Sequence, residues 1–328
     1  MSSESDTGPE FARIGRSYDV ITIGRVGVDI YPFQAGPLED VTTFGKFLGG
    51  SPTNVAVAAA RLGRRVAVIT RVGSDPFGRF VRRTIRELGV EDAFVREVPG
   101  LPTPVAFCEM FPPDNFPLYF YRHPKAPDLE IRPEEIDRAA VREARLFWAT
   151  VTGLSEEPSR AAHKAAWQAR ARRPLTVLDL DYRSMFWPSV EEARKQVQDA
   201  LPQVTIAVGN REECEVAVGE SDADQAAEAL LDFGLDLAVV KRGPAGVLGR
   251  TKQQRVEIPA LDIQVVNGLG AGDAFGGALC HGLLAGWPLE KVLSFSNAAG
   301  AIVASRLECS TAMPTAAEVA AEMGEMAR

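Results

Sequence analysis

From Asn267 to Phe275 the chain reads Asn-Gly-Leu-Gly-Ala-Gly-Asp-Ala-Phe. Glycines at 268, 270 and 272 let backbone N–H groups converge on an anion with no Cβ in the way. The apolar run 263–266 before it predicts a strand, and the segment after it a helix. The first turn of that helix adds donors and a dipole that favours negative charge. Such a turn suits a phosphate, yet a carboxylate within it repels one. Asp273 therefore reads as a base, taking the proton of an attacking hydroxyl while the amides of Gly270, Ala271 and Gly272 stabilise charge on a phosphoryl group. On this segment alone, a plain strand-to-helix turn explains the glycines equally well.

Other polar residues keep it company. Gly49-Gly50-Ser51-Pro52-Thr53-Asn54 joins an extended stretch to a helix, Asp29 follows the first strand, and Asn210-Arg211-Glu212-Glu213 follows another. All fall at the carboxyl ends of predicted strands, where open α/β sheets place their ligands. Two rival phosphate motifs are excluded. The chain contains no GxxxxGK[ST], and Gly24 with Gly27 does not complete the GxGxxG that a nicotinamide oxidoreductase would carry.

The scaffold is legible as alternation. Short apolar strands at 20–24, 66–70, 146–149, 176–180, 205–208 and 237–240 are interleaved with helices. The helices are expected near 53–62, 76–88, 159–172, 189–200, 222–233, 272–285, 289–306 and 315–327. Ser51 fits an N-cap, Pro52 a first helical residue and Gly63 a C-cap. Runs at 246–249 and 255–258 lie too close together for crossover helices and predict an antiparallel edge. Two stretches, about 28–47 and 103–122, lack helical period and predict a small separate sheet. Its aromatics would leave an apolar face exposed, which predicts a homodimer.

The length of 328 residues suits one α/β domain, and the net charge of −8 argues against a general nucleic-acid partner. The four scattered cysteines form no CxxC pair and fit a reducing, cytoplasmic setting. No apolar run reaches membrane-spanning length, and residues 1–18 form a polar tail without a signal core, read as disordered and outside the fold at 19–328.

With these motifs in this order, the chain from Tyr18 to Pro314 resembles the PfkB, or ribokinase-like, carbohydrate kinases. The resemblance implies an α/β/α sandwich with a mostly parallel central sheet and a small β-sheet lid. It implies ATP and Mg²⁺ as cofactors, and residue roles follow by position. Asp273 would be the base, with Gly270, Ala271 and Gly272 as the anion hole. Asp29, Gly49, Gly50 and Asn54 would meet substrate hydroxyls. Asn210 and Glu213 would help hold Mg²⁺ through water, Lys241, Gly243 and Gly246 would form the nucleotide turn, and Asn297 would border adenine. Where the family commonly has Asp-Thr this chain has Asn267-Gly268, which leaves a K⁺ requirement open.

Segments 24–29, 179–187 and 266–273 are most similar to the family's sugar-acid kinases of myo-inositol breakdown. A sugar acid needs cations for its carboxylate, and the planar fork of arginine suits one. Arg183 and Arg122 are the first candidates, with Arg25 and Lys125 behind them; each, taken alone, also reads as a solvated surface charge. The rival readings are a kinase of a neutral sugar and a non-catalytic sugar-binding regulator, which would have no need of Asp273.

Overall fold

Every residue of the strand Val20–Ile23 is buried, because the sheet it joins is covered on both faces. Alternate side chains serve opposite layers: Ile21 and Ile23 pack into one apolar cluster, Val20 into the other. The computed structural model describes residues 17–113 and 115–326.

In chain order the strands are β1 (Val20–Ile23), β2 (Gly27–Pro32), β3 (Phe44–Gly49), β4 (Val66–Gly73), β5 (Val90–Glu91), β6 (Val95–Val98) and β7 (Val105–Cys108). There follow β8 (Leu118–Tyr121), β9 (Leu146–Thr150), β10 (Thr176–Asp179), β11 (Ile206–Asn210), β12 (Leu237–Lys241), β13 (Val247–Arg250) and β14 (Arg255–Ile258). The large sheet runs β14-β13-β12-β11-β10-β9-β1-β4-β5, with β6 also paired to β4. It is parallel except for β13 and β14, the expected antiparallel edge. One cluster is roofed by helices such as Ser159–Arg170 and Val190–Ala200, the other by Ser51–Arg61, Ala271–Leu284 and Leu289–Ala304. This is the α/β/α sandwich that the resemblance implies. A second sheet, β3-β2-β7-β8, forms the lid from the two extended stretches.

Two helices matter most for the site. Ser51–Arg61 is buried along most of its length and packs against Ala271–Leu284. Small residues set their closeness: a Cβ on Gly277 would strike Ala58 and lie 2.8 Å from the Ala59 amide nitrogen. A larger side chain at Gly277 would overpack this seam, at a cost of about 1–3 kcal/mol.

Several expectations are corrected. The N-cap of helix Ser51–Arg61 is Gly50, in a backbone region (φ 104°) that suits glycine, so Ser51 is already helical and its hydroxyl is free for other work. Residues 263–266 form no strand; Val266 and Asn267 instead donate their amides to the Ala304 carbonyl. The strand expected at 205–208 lies at 206–210. Short helices at Arg138–Glu143 and Arg211–Val218, and strands β5 and β6, had no clear period. Of the tail assigned to 1–18, residues 1–16 lie outside the described residues, while Tyr18 packs against Phe94 and beneath Arg65. Among the described residues no helix is long and apolar enough to cross a membrane.

Candidate active site

The parallel strands deliver their carboxyl ends to one edge. There β10 ends at Asp179, β11 at Asn210 and β12 at Lys241, with Asn210 and Lys241 directly opposite each other. Gly270, in left-handed conformation (φ 83°), opens the helix Ala271–Leu284 and places Asp273 in its first turn.

The Asp273 carboxylate is held from the neighbouring helix. Ser51 Oγ donates to Oδ1 at 2.7 Å and Asn54 Nδ2 donates to Oδ2 at 2.8 Å. Asn54 is itself fixed, because Ser310 Oγ donates to its Oδ1 at 2.5 Å. Burial raises the Asp273 pKa; the two hydrogen bonds and Arg25 work against that rise, and Asp181 adds to it. A carboxylate held in this way could take up a proton and release it. Ser51 was read from sequence as a cap, and its role as a carboxylate donor was not foreseen. Asn267 braces the turn: its side chain donates to the Leu307 carbonyl and accepts from the Leu269 amide. Asn267 thus has a local structural use.

Lys241 stands beside the glycine turn, where a Cβ on Gly272 would be 3.4 Å from its Nζ. Burial works to lower its pKa, but Asp179, Glu213, Asp273 and Asp181 outweigh burial and raise it. Asp179, buried, is pushed up to about 7 despite Lys241, with Glu213, Asp181 and Asp273 adding to the rise. Asn210 and Glu213 form a capping box: the Asn210 amide donates to Glu213 Oε2 at 2.7 Å, and the Glu213 amide donates to Asn210 Oδ1 at 2.9 Å. Gly243 and Gly246 take positive φ in the turn after β12, and a Cβ on Gly246 would strike the Ile258 carbonyl. Asn297 donates to the Pro259 carbonyl at 2.8 Å.

On the lid side, Asp29 projects from β2 and packs against Gly49, where any Cβ would collide with its carboxylate. Gly50 has the same need, since a Cβ there would lie 2.7 Å from the Val26 Cα. Arg25, Asp29, Gly50, Phe120 and Arg122 line a narrow cleft between lid and body. Arg25 and Arg183 both pair with Asp181, at 3.2 and 3.1 Å. Burial works to raise the Asp181 carboxyl, but the two guanidinium groups hold it below the usual range. Arg122 pairs with buried Asp128 at 2.7 Å and stacks over Phe186. Lys125 turns away from the cleft, tying Glu130 (2.7 Å) to the Glu157 carbonyl (2.6 Å). Asp181 and Asp128 were not foreseen as partners. Asp181 stood in a quoted segment, but periodicity carries no sign of a pairing across 156 residues.

The family model described as pfkB family carbohydrate kinase matches residues 18–316. The chain belongs to the PfkB family. It is a carbohydrate kinase, a phosphotransferase acting on a hydroxyl. Among curated proteins, this PfkB kinase is 33% identical over 314 residues to 5-dehydro-2-deoxygluconokinase of Listeria monocytogenes serotype 4b, covering 93% of this chain and 96% of that one. Among solved structures it is similar to fructokinase of Xylella fastidiosa with bound ATP, at 27% identity and a TM-score of 0.82, covering 95% of this chain and 100% of that one. A putative ribokinase II from E. coli, in complex with ATP and Mg²⁺, shares the fold with a TM-score of 0.85 at 22% identity, over 94% of this chain and 99% of that one.

Proposed function

We propose that this PfkB kinase transfers the γ-phosphoryl group of MgATP to the 6-hydroxyl of 5-dehydro-2-deoxy-D-gluconate, as in myo-inositol degradation. The observation that carries the reading is the Asp273 carboxylate, pinned by Ser51 and Asn54 at the glycine turn beside a cleft where two guanidinium groups share Asp181. Two arginines share Asp181, so guanidinium outnumbers carboxylate within that group and can turn toward a substrate carboxylate, although Asp29 and Asp273 also face Arg25. The Arg183 Nε–H, buried and without a partner among the described residues, is a donor left for it. The similarity to curated 5-dehydro-2-deoxygluconokinases supports the same substrate.

In this reading Asp29, Gly49, Gly50 and Asn54 orient the sugar. Its hydroxyl oxygen bonds to the γ-phosphorus as the bond to the bridging oxygen breaks. The hydroxyl proton passes to Asp273 and ADP leaves with the electron pair. The amides of Gly270, Ala271 and Gly272, with Lys241, meet the charge on the phosphates. Gly243, Gly246 and Asn297 border the nucleotide. Asn210 and Glu213 would hold, through water, the Mg²⁺ that accompanies ATP, and the ion would supply charge neutralisation at the phosphates.

A second reading, a kinase of a neutral sugar, is favoured by one fact: Arg25, Arg122 and Arg183 each already have a carboxylate partner. ATP consumption measured side by side with 5-dehydro-2-deoxygluconate, 2-keto-3-deoxygluconate, ribose and fructose separates them. The highest kcat/KM is expected for the first. A higher value for ribose or fructose would overturn the substrate assignment. Sugar binding without ATP consumption would instead point to a regulator.

A further inference from the structure

Tyr31 lies two residues after Asp29 on β2, so both side chains leave the strand on one face. The tyrosine is 2% exposed. Its hydroxyl lies 2.7 Å from Asp29 Oδ2 and 3.0 Å from Cys309 Sγ. Cys309 in turn backs the catalytic turn: a Cβ on Gly270 would come within 2.7 Å of its sulfur. Tyr31, Cys108, Met110 and Cys309 form an apolar cluster of their own, and Leu269 packs on it. Contact therefore runs without a break from Asp29, on the lid, to Gly270, on the body.

The direction of these bonds follows from chemistry. An ionised carboxylate only accepts, so the Tyr31 O–H donates to Asp29. The phenol oxygen is then left as an acceptor, and the Cys309 S–H donates to it.

We propose that Tyr31 is a positioning residue for phosphoryl transfer: it fixes the orientation of the Asp29 carboxylate that receives the sugar and, through Cys309, ties the lid strand to the Gly270 turn. The proposal rests on the reading that Asp29 contacts the sugar. The groups facing Asp29 are Tyr31, Arg25, Asp273, Cys108 and Cys309. Burial pushes the Asp29 carboxyl up to about 6; the Tyr31 hydrogen bond and Arg25 oppose the rise, and Asp273 adds to it. Loss of the phenol O–H removes one of the two opposing influences. Asp29 then titrates higher and accepts sugar hydroxyls over a narrower pH range.

The test is Tyr31→Phe, assayed with whichever sugar of the panel turns over best. The sugar KM is expected to rise about tenfold, with the ATP KM within about twofold, and the acid limb of kcat/KM to move to higher pH. Cys309→Ala should shift the limb less, in the same direction, and Cys309→Ser should restore it, because a hydroxyl donates where the thiol did. A wild-type acid limb and sugar KM in Tyr31→Phe would overturn the proposal, as would equal losses on both substrates. If Tyr31→Phe fails to fold, the cysteine pair decides: identical profiles for the Ala and Ser variants would overturn it. Asp29→Asn with an unchanged sugar KM would instead sink the reading of Asp29 itself.

Discussion

Asn54 donates its side-chain amide to Asp273 across 219 residues of sequence, and the contact at 2.8 Å joins the starts of two packed helices. With Ser51 on the other oxygen, the carboxylate has both orientation and a partly compensated charge. Asp273→Asn should keep the fold and lower kcat by roughly two to four orders of magnitude, because the proton acceptor is gone. Ser51→Ala should be milder and more telling. It removes a bond that lowers the Asp273 pKa, so the base protonates at higher pH and the acid limb of kcat moves upward. A pH–rate profile of the two variants checks both. Near-normal turnover by Asp273→Asn would remove it from the mechanism.

Asp29 carries a stability cost. Its folded pKa of about 6 exceeds the unfolded value of about 4, so the folded state favours the protonated form. Wild-type stability therefore falls as pH rises from about 4 through about 6, by about 1–3 kcal/mol after allowance for the partial exposure of this residue to the cleft. Asp29→Asn should unfold at higher temperature than wild type above about pH 6, and the gap should close below about pH 4. Thermal unfolding across that range reads the difference. A constant gap at all pH values would mean that Asp29 is not the group titrating.

Much of this architecture was open to a reader of the sequence, for a physical reason. Strands buried on both faces must be short, mainly apolar runs, and β1, β9 and β12 are apolar apart from Thr22, Thr150 and Lys241. The glycine turn was legible only in company, because a plain strand-to-helix turn explains its glycines equally well until Gly49-Gly50, Asn54 and Asn210 are read beside it. Ser51 was not, because a serine before proline fits a cap equally well, and only the left-handed Gly50 removes it from that role. The pairing of Arg122 with Asp128 lies within six residues and still escaped, since no regular element sets its geometry. Tyr31 stood out only as one aromatic of the extended stretch 28–47, and its partner Cys309 stands 278 residues away.

Asn210 and Glu213 satisfy one another as a capping box, so their first effect is on the helix Arg211–Val218. Asn210→Ala should cost about 1 kcal/mol of stability and lower the melting temperature. If the pair also holds metal-bound water, the KM for MgATP should rise in Asn210→Asp, which retains an acceptor for the cap. Calorimetry and nucleotide kinetics on the two variants separate these roles. An unaltered KM in the Asp variant would confine the pair to the helix.

The lid exposes Phe33, Phe44, Tyr119 and Tyr121, with Phe107 stacked edge-on between Phe44 and Tyr121. An aromatic face of this kind on a four-stranded sheet is the surface on which we expect a second copy of the chain to dock. Phe44→Ser combined with Tyr121→Ser should shift the protein from dimer to monomer in light scattering while preserving its thermal unfolding. A wild-type protein that is monomeric over a wide concentration range would count against association through this face.

The cations of the cleft come in two sets. Arg122 and Asp128 cancel one for one, whereas Asp181, 3% exposed, serves both Arg25 and Arg183. Two arginines facing a neutral sugar would be charges without partners if no acid lay beside them. Each has one, and what remains is the two-to-one excess of guanidinium over carboxylate at Asp181, with Asp29 and Asp273 also facing Arg25, and the Arg183 Nε–H, unpartnered among the described residues. A substrate carboxylate loses hydration on entry, and this excess charge can compensate for the loss. The Arg183 side chain is 37% exposed, so solvent screens it and the effect falls below that of a fully buried pair. Arg183→Ala should lower kcat/KM for the sugar acid about 10- to 100-fold, or about 1.5–3 kcal/mol of transition-state binding. A neutral sugar should lose far less, because it presents no charge for the guanidinium to meet. Equal losses on the two substrates would mean that Arg183 acts only by holding Asp181, and the case for a carboxylate in the cleft would lose its physical footing.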